Sequence, residues 1–238
     1  MSATRRRHSF ARFVLLCAGS LLVLQAYFLL RIALWAVLPV HDTAFMRAAQ
    51  LRMLRSDDTT PWRHDWTGYD SISPWLKRSV VASEDATFLT NPGVDWKAIR
   101  EAWMRDHTRR VERDHRIVGG STITQQLAKN LFLSPERSYV RKGQELVITG
   151  MLELVLDKRR ILEMYLNSVE WGDGVYGAQA AAQQYFHVPA ARLTRLQAAR
   201  LAVMLPAPRL FQHHLYGPYI DRRTYTIAAR AEQAQVPR

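Results

Sequence analysis

Gly119-Gly120-Ser121-Thr122-Ile123-Thr124-Gln125-Gln126-Leu127-Ala128-Lys129-Asn130 breaks the chain at two glycines and then starts a helix. Thr122 and Gln125 have capping-box spacing, so the helix is expected from Ser121 or Thr122 to Leu133. Ile123, Leu127 and Leu131 recur every four residues and face a core, which leaves Thr122, Gln125, Gln126 and Lys129 on a polar side. A second helix is expected from about Ser138 to Asp157. Its apolar stripe is Val140, Val147, Met151 and Leu154, with Arg141, Lys142, Glu145 and Thr149 on another face. Further helices are expected over Lys158 to Asn167, Ala178 to Phe186 and Leu196 to Leu205, the last ended by Pro206 and Pro208. Alternating strand patterns bounded by hairpin turns are scarce, so the fold class is mainly α.

The chain of 238 residues is 48% hydrophobic, enough for a packed core, and its 33 Lys and Arg outnumber 21 Asp and Glu to give +12. Its one cysteine, Cys17, excludes an intrachain disulfide and a Cys-based zinc site. Residues 1–12 hold Arg5, Arg6, Arg7 and Arg12 and read as a basic cytoplasmic N-terminus; residues 13–40 read as a transmembrane anchor. Phe13 to Leu30 is 18 residues without a charge, about 27 Å of helix. That run is longer than the apolar region of a cleaved signal peptide, the main alternative. Arg31 is expected to snorkel toward an interface or to meet an anionic head group. The arginines before the span place the remaining chain outside the cytoplasm.

With the five arginines before position 41 set aside, 28 basic and 21 acidic side chains still carry +7. No nucleic-acid-binding pattern accompanies this charge, so an anionic, lipid-linked partner fits better than nucleic acid. Residues 41–75, with Trp62, Trp66, Tyr69 and Trp75, read as a juxtamembrane connection, and residues 76–238 as the functional domain. Arg105 to Arg116 mixes basic, acidic and His residues and reads as an exposed connection.

Two constellations can carry chemistry. Glu84 and Asp85 follow the apolar run Val80-Val81-Ala82, and a carboxylate partly withdrawn from water acquires the raised pKa that a general base needs. Glu145 follows Arg141 and Lys142 at helical spacing, and Lys129, Arg137, Arg141 and Lys142 together can stabilise a departing pyrophosphate. From spacing alone, a solvated turn for Glu84-Asp85 and an intrahelical ion pair for Glu145 are the stronger readings. No P-loop, GxGxxG, GxSxG or zinc-ligand spacing is present.

Four stretches resemble, in order, the motifs of the peptidoglycan glycosyltransferases, including the glycosyltransferase domains of class A penicillin-binding proteins. Glu84-Asp85-Ala-Thr-Phe88-Leu-Thr-Asn91-Pro-Gly93-Val-Asp95 is similar to EDxxFxxHxGxD, and Gly119 to Asn130 to GGSTITQQLxKN. Arg141-Lys142-Gly143-Gln144-Glu145 matches RKxxE, and Lys158 to Asn167 matches KxxILExYLN. The resemblance spans roughly Ser79 to Pro208 and is that of a monofunctional biosynthetic enzyme. It implies a lysozyme-like, mainly helical fold with a large and a small lobe, in a bacterial inner membrane. Asn91 departs from the family's usual histidine, and an amide cannot titrate near neutral pH.

The implied reaction polymerises lipid II into glycan strands from a lipid-linked pyrophosphate donor. Glu84 would be the general base on the acceptor's 4-hydroxyl. Lys129, Arg137, Arg141 and Lys142 would meet the pyrophosphate, with Glu145 as second carboxylate orienting that cluster or a bound Mg2+ or Mn2+. Ser121, Gln125 and Gln126 would contact the donor. No cofactor is required by the sequence, and the partners implied are lipid II, the growing strand, the membrane and other cell-wall synthesis proteins. A lytic enzyme of related fold and a catalytically silent lipid-binding protein are the alternatives.

Overall fold

The computed structural model describes residues 3–56, 59–96, 100, 121–136 and 138–238. Arg137, Gly119, Gly120 and the expected connection Arg105 to Arg116 lie outside them. The fold is mainly helical, as expected, with an apolar helix leading.

Helix α1, Ala3–Trp35, includes the 26-residue stretch Phe10–Trp35, long and apolar enough to cross a membrane. Phe10, Leu15, Leu22 and Leu30 are exposed, as a span without lipid would be. Its C-terminal end docks onto the domain, where Phe28, Ile32 and Trp35 are buried. The Phe28 and Trp35 rings lie 4.9 and 5.3 Å from that of Phe132. Arg160 donates from Nε to the Trp35 carbonyl at 2.9 Å and from a second nitrogen to the Leu38 carbonyl. A guanidinium thus satisfies carbonyls that the helix leaves open and complements its dipole. Arg31 lies over the Trp35 ring, 4.4 Å from its centroid.

The stretch 41–75 is built into the domain. Thr43 caps α2, Ala44–Arg55, whose Met46, Ala49 and Met53 are buried. Strand β1, Arg63–His64, then joins a small sheet with β2, Glu170–Gly172, and β3, Val175–Tyr176, in the order β1-β3-β2. Trp62 stacks on Tyr176 at 4.8 Å, and the 3-10 turn Tyr69–Ser71 leads into α3, Pro74–Glu84, capped by Ser73 with Pro74 in its first turn.

Helix α4, Ile123–Phe132, has the predicted capping box, and Ile123, Leu127 and Leu131 are buried. It packs between α5, Tyr139–Val155, and α6, Lys158–Ser168. Helices α7, Ala178–Phe186, and α8, Arg195–Met204, follow, then the short α9, Pro208–Phe211. The chain closes with α10, Pro218–Gln233, which packs on α3 and α8. Its buried Ile220, Thr224, Ile227, Ala228 and Ala231 fall at helical intervals behind Pro218.

Helix α5 turns Val140, Val147 and Leu154 of the expected stripe outward, while Met151 is partly buried against the core. Val140 is 85% exposed and Leu154 82%, whereas Glu145, Ile148, Thr149 and Leu152 form the buried face. Ile148 and Leu152 supply the apolar area against α4. Glu145 is tolerated among them because two cations neutralise it. Gln125 likewise differs from expectation: it is wholly buried, not part of a solvent-facing polar side, because its Oε1 accepts from the Thr122 N–H at 3.0 Å to close the capping box.

Candidate active site

Helix α3 ends at Glu84, and the next residue, Asp85, leaves helical geometry, so the carboxylates point in different directions. Asp85 is buried. Its Oδ2 accepts the Ile123 backbone N–H at 3.1 Å, and its Oδ1 accepts from Asn91 Nδ2 at 2.9 Å. Asn91 uses its other end too, accepting the Gly93 N–H on Oδ1 at 2.9 Å. The Gly93 carbonyl in turn accepts from Thr122 Oγ1 at 2.6 Å. The loop after α3 is thereby clasped to the first turn of α4. Gly93 has φ +86, and an added Cβ would meet Glu153 and Thr149 at under 3 Å, so only glycine fits.

Glu84 keeps partial solvent access beside this clasp. Gln126 Nε2 donates to its Oε2 at 3.1 Å, and Ser83 Oγ donates to its Oε1 at 3.3 Å. Burial raises its pKa above the ordinary carboxylate value. The hydrogen bonds from Gln126 and Ser83 and the charge of Arg223 pull the other way, and Asp85 adds to the rise. The result is a carboxylate held by donors yet readier than usual to take a proton. Arg223 comes from α10; its role was missed, because it lies beyond the last motif.

The second cluster lies on α5. Arg141 Nη1 meets Glu145 Oε2 at 3.0 Å, and Lys142 Nζ donates to Glu145 Oε1. Glu145 is 3% exposed and Arg141 17%, whereas Lys142 is 41% exposed and reaches solvent. The cluster carries one net positive charge, which suits an incoming anion. Both Glu145 oxygens already meet cations, and among the described residues no group of three or more His, Cys, Asp or Glu side chains is suited to a metal ion. These residues do not build a site for Mg2+ or Mn2+.

Of the other expected residues, Gln126 and Ser121 join the Glu84 cluster, the Ser121 carbonyl accepting from Gln126 Nε2 at 3.4 Å. Gln125 is buried at the start of α4, where its Oε1 closes the cap and its Nε2 has no partner among the described residues. Lys129 lies one turn beyond Gln126, its Nζ 5.5 Å from the centroid of the Phe45 ring. Helix α4, packed on both α5 and α6, therefore carries residues of the Glu84 cluster and lies against the helix that bears Glu145.

The sequence model of the family described as Transglycosylase matches residues 52–232. The chain is 54% identical over 221 residues to the biosynthetic peptidoglycan transglycosylase of Burkholderia thailandensis, covering 92% of this chain and 84% of the relative. It is 52% identical over 241 residues to that of Burkholderia pseudomallei, covering 99% and 92%. The protein of the same description from Burkholderia orbicola is 54% identical over 220 residues, covering 92% and 88%. With the family's match running from α2 to α10 and identity above half along most of the chain, this protein belongs to the transglycosylase family.

Proposed function

We propose that this chain is a peptidoglycan glycosyltransferase that builds cell wall by polymerising lipid II. The observation that carries the reading is Glu84: a partly buried carboxylate, held by Gln126 and Ser83, with its pKa raised, beside a helix that packs against the Arg141, Lys142 and Glu145 cluster.

In the reaction the acceptor's 4-hydroxyl attacks the anomeric carbon of the lipid-linked donor. Its proton passes to Glu84 as the new glycosidic C–O bond forms, and the bond from the anomeric carbon to the pyrophosphate oxygen breaks. Single displacement inverts the anomeric centre. The departing undecaprenyl pyrophosphate takes the electron pair, and Lys142, Arg141 and Lys129 stabilise its charge, with Arg137 as the further expected contact. Glu145 holds Arg141 and Lys142 in place. Ser121 and Gln126 line the donor side of Glu84, and no step is routed through a metal ion.

Residues 13–40 hold the enzyme in the bacterial inner membrane, residues 1–12 stay in the cytoplasm, and the packed domain beyond the anchor works in the periplasm beside its lipid-linked substrate. Residues 41–75 join anchor to domain as part of the packed structure. Other cell-wall synthesis proteins are the partners this placement gives. Incubation of the full-length protein with labelled lipid II tests the reading. A ladder of longer glycan supports it, whereas shortening of added glycan with no polymer would replace synthesis by lysis.

A further inference from the structure

Tyr165 reaches the Glu84 cluster from α6 and has no task in the reaction described above. It is wholly buried, and its hydroxyl donates to Gln126 Oε1 at 2.9 Å. Gln126 Nε2 donates onward to Glu84 Oε2 at 3.1 Å and to the Ser121 carbonyl at 3.4 Å. The two ends of a glutamine amide are alike in shape and opposite in polarity, so its partners decide which end meets Glu84.

Two registers are available to this chain of groups. In one, the phenol donates to Oε1 and the NH2 meets an ionised Glu84. In the other, the NH2 donates to the phenol oxygen and Oε1 faces Glu84, which then must carry a proton. The Ser121 carbonyl accepts only from the NH2 and so favours the first register. Burial, with the charges of Glu84 and Asp85 added, raises the Tyr165 phenol well above its ordinary value, so its hydrogen stays available to donate. Among the described residues, Arg223 of α10 favours the ionised form of Glu84 and Asp85 opposes it.

We infer that Tyr165 is a positioning residue for glycosyl transfer: its hydroxyl holds the Gln126 amide in the register that donates to Glu84, which keeps Glu84 ionised and ready for the acceptor's proton. The inference rests on Glu84 acting as general base. It concerns a residue that touches neither sugar nor pyrophosphate and acts through Gln126 alone.

Tyr165→Phe keeps the ring and removes only the hydroxyl. The test is the pH profile of lipid II polymerisation by full-length wild type, Tyr165→Phe, Gln126→Leu and the double variant, with thermal melting of each and Glu84→Gln alongside. The acidic limb of the Tyr165→Phe profile is expected to move up by about one pH unit, the displacement that follows loss of a hydrogen bond favouring the charged form. kcat at neutral pH should fall with KM little changed, and the hydroxyl should have no further effect in the Gln126→Leu background. An unchanged acidic limb in a folded Tyr165→Phe variant, or the same additional shift when Gln126 is already leucine, would overturn the inference. So would an equal loss at every pH that tracks a fall in melting temperature. Polymerisation by Glu84→Gln at the wild-type rate would overturn the general-base reading and this inference with it. An inactive Glu84→Gln beside a Tyr165→Phe profile identical to wild type would overturn the inference alone.

Discussion

Asp85 Oδ2 accepts the backbone N–H of Ile123 at 3.1 Å, so the residue after Glu84 caps the helix that supplies Gln126. Glu84 and its donor Gln126 are thereby held in mutual register by a neighbouring carboxylate. Asp85→Asn turns an amide NH2 toward either the Ile123 N–H or the Asn91 NH2, donor against donor. We expect it to cost about 1–3 kcal/mol and to lower polymerisation further than the stability loss explains. Thermal melting and a lipid II assay on the same preparation check both parts.

Asn91 stands where the family usually has histidine, and it uses both ends, donating to Asp85 and accepting from Gly93. An amide does this without titrating. Asn91→Asp keeps the acceptor for the Gly93 N–H but sets a second carboxylate against Asp85, so one of the pair must have a raised pKa. A carboxyl with a raised folded-state pKa loses stability as pH rises from its unfolded value through its folded one. The variant should therefore melt well below wild type at pH 7 and approach it as pH falls toward about 4. A difference constant across that range would contradict the clasp.

Glu84 carries the same sign. Burial raises its pKa, so its charge costs stability at neutral pH. Glu84→Gln should abolish polymerisation yet melt at or above the wild-type temperature at pH 7. That advantage should shrink as pH falls into the ordinary carboxylate range, where wild-type Glu84 gains its proton.

Arg141 and Lys142 differ in exposure, 17% against 41%, while sharing Glu145. Lys142→Ala should cost about 1 kcal/mol or less in stability, because the lysine is exposed enough for solvent to screen its pairing and Arg141 still meets Glu145, but most of the donor-dependent rate. Arg141→Ala should cost more stability, since it strips a buried carboxylate of its better-buried partner. Denaturant melts and initial rates on the two variants separate these contributions.

The facing of α5 is testable by truncation. Leu152→Ala should cost about 2–5 kcal/mol as a core deletion, and Leu154→Ala, at 82% exposure, no more than about 0.5 kcal/mol. Equal costs would restore the stripe read from spacing alone.

The difference on α5 shows what spacing carries and what it omits. Helix α4 was legible because its caps and its four-residue apolar interval coincide in Thr122, Gln125, Ile123, Leu127 and Leu131. On α5 the apolar interval of Val140, Val147 and Leu154 was real, but a periodic stripe does not say whether protein or something else covers it. The buried face runs through Glu145, which hydropathy assigns to solvent until its two cations are seen. Glu84, Gln126, Arg141 and Lys142 were legible as candidates through the motifs. Gln125 was not legible as a core residue, because it is its Oε1 bond to its own helix cap that lets a polar side chain sit inside. Tyr165 is a core residue of α6, and what ties it to the site is a hydroxyl contact with Gln126 that spacing does not show. Arg223 lies far along the chain from Glu84, and the packing of α10 on α3 is what relates them.

The most direct measurement compares wild type and Glu84→Gln, full length in detergent, on labelled lipid II, with products separated by gel and folding checked by thermal melting. Polymer from wild type and none from an intact Glu84→Gln is the predicted result. Polymer of similar length and rate from the folded variant would contradict the assignment of Glu84 as the group that takes the acceptor's proton.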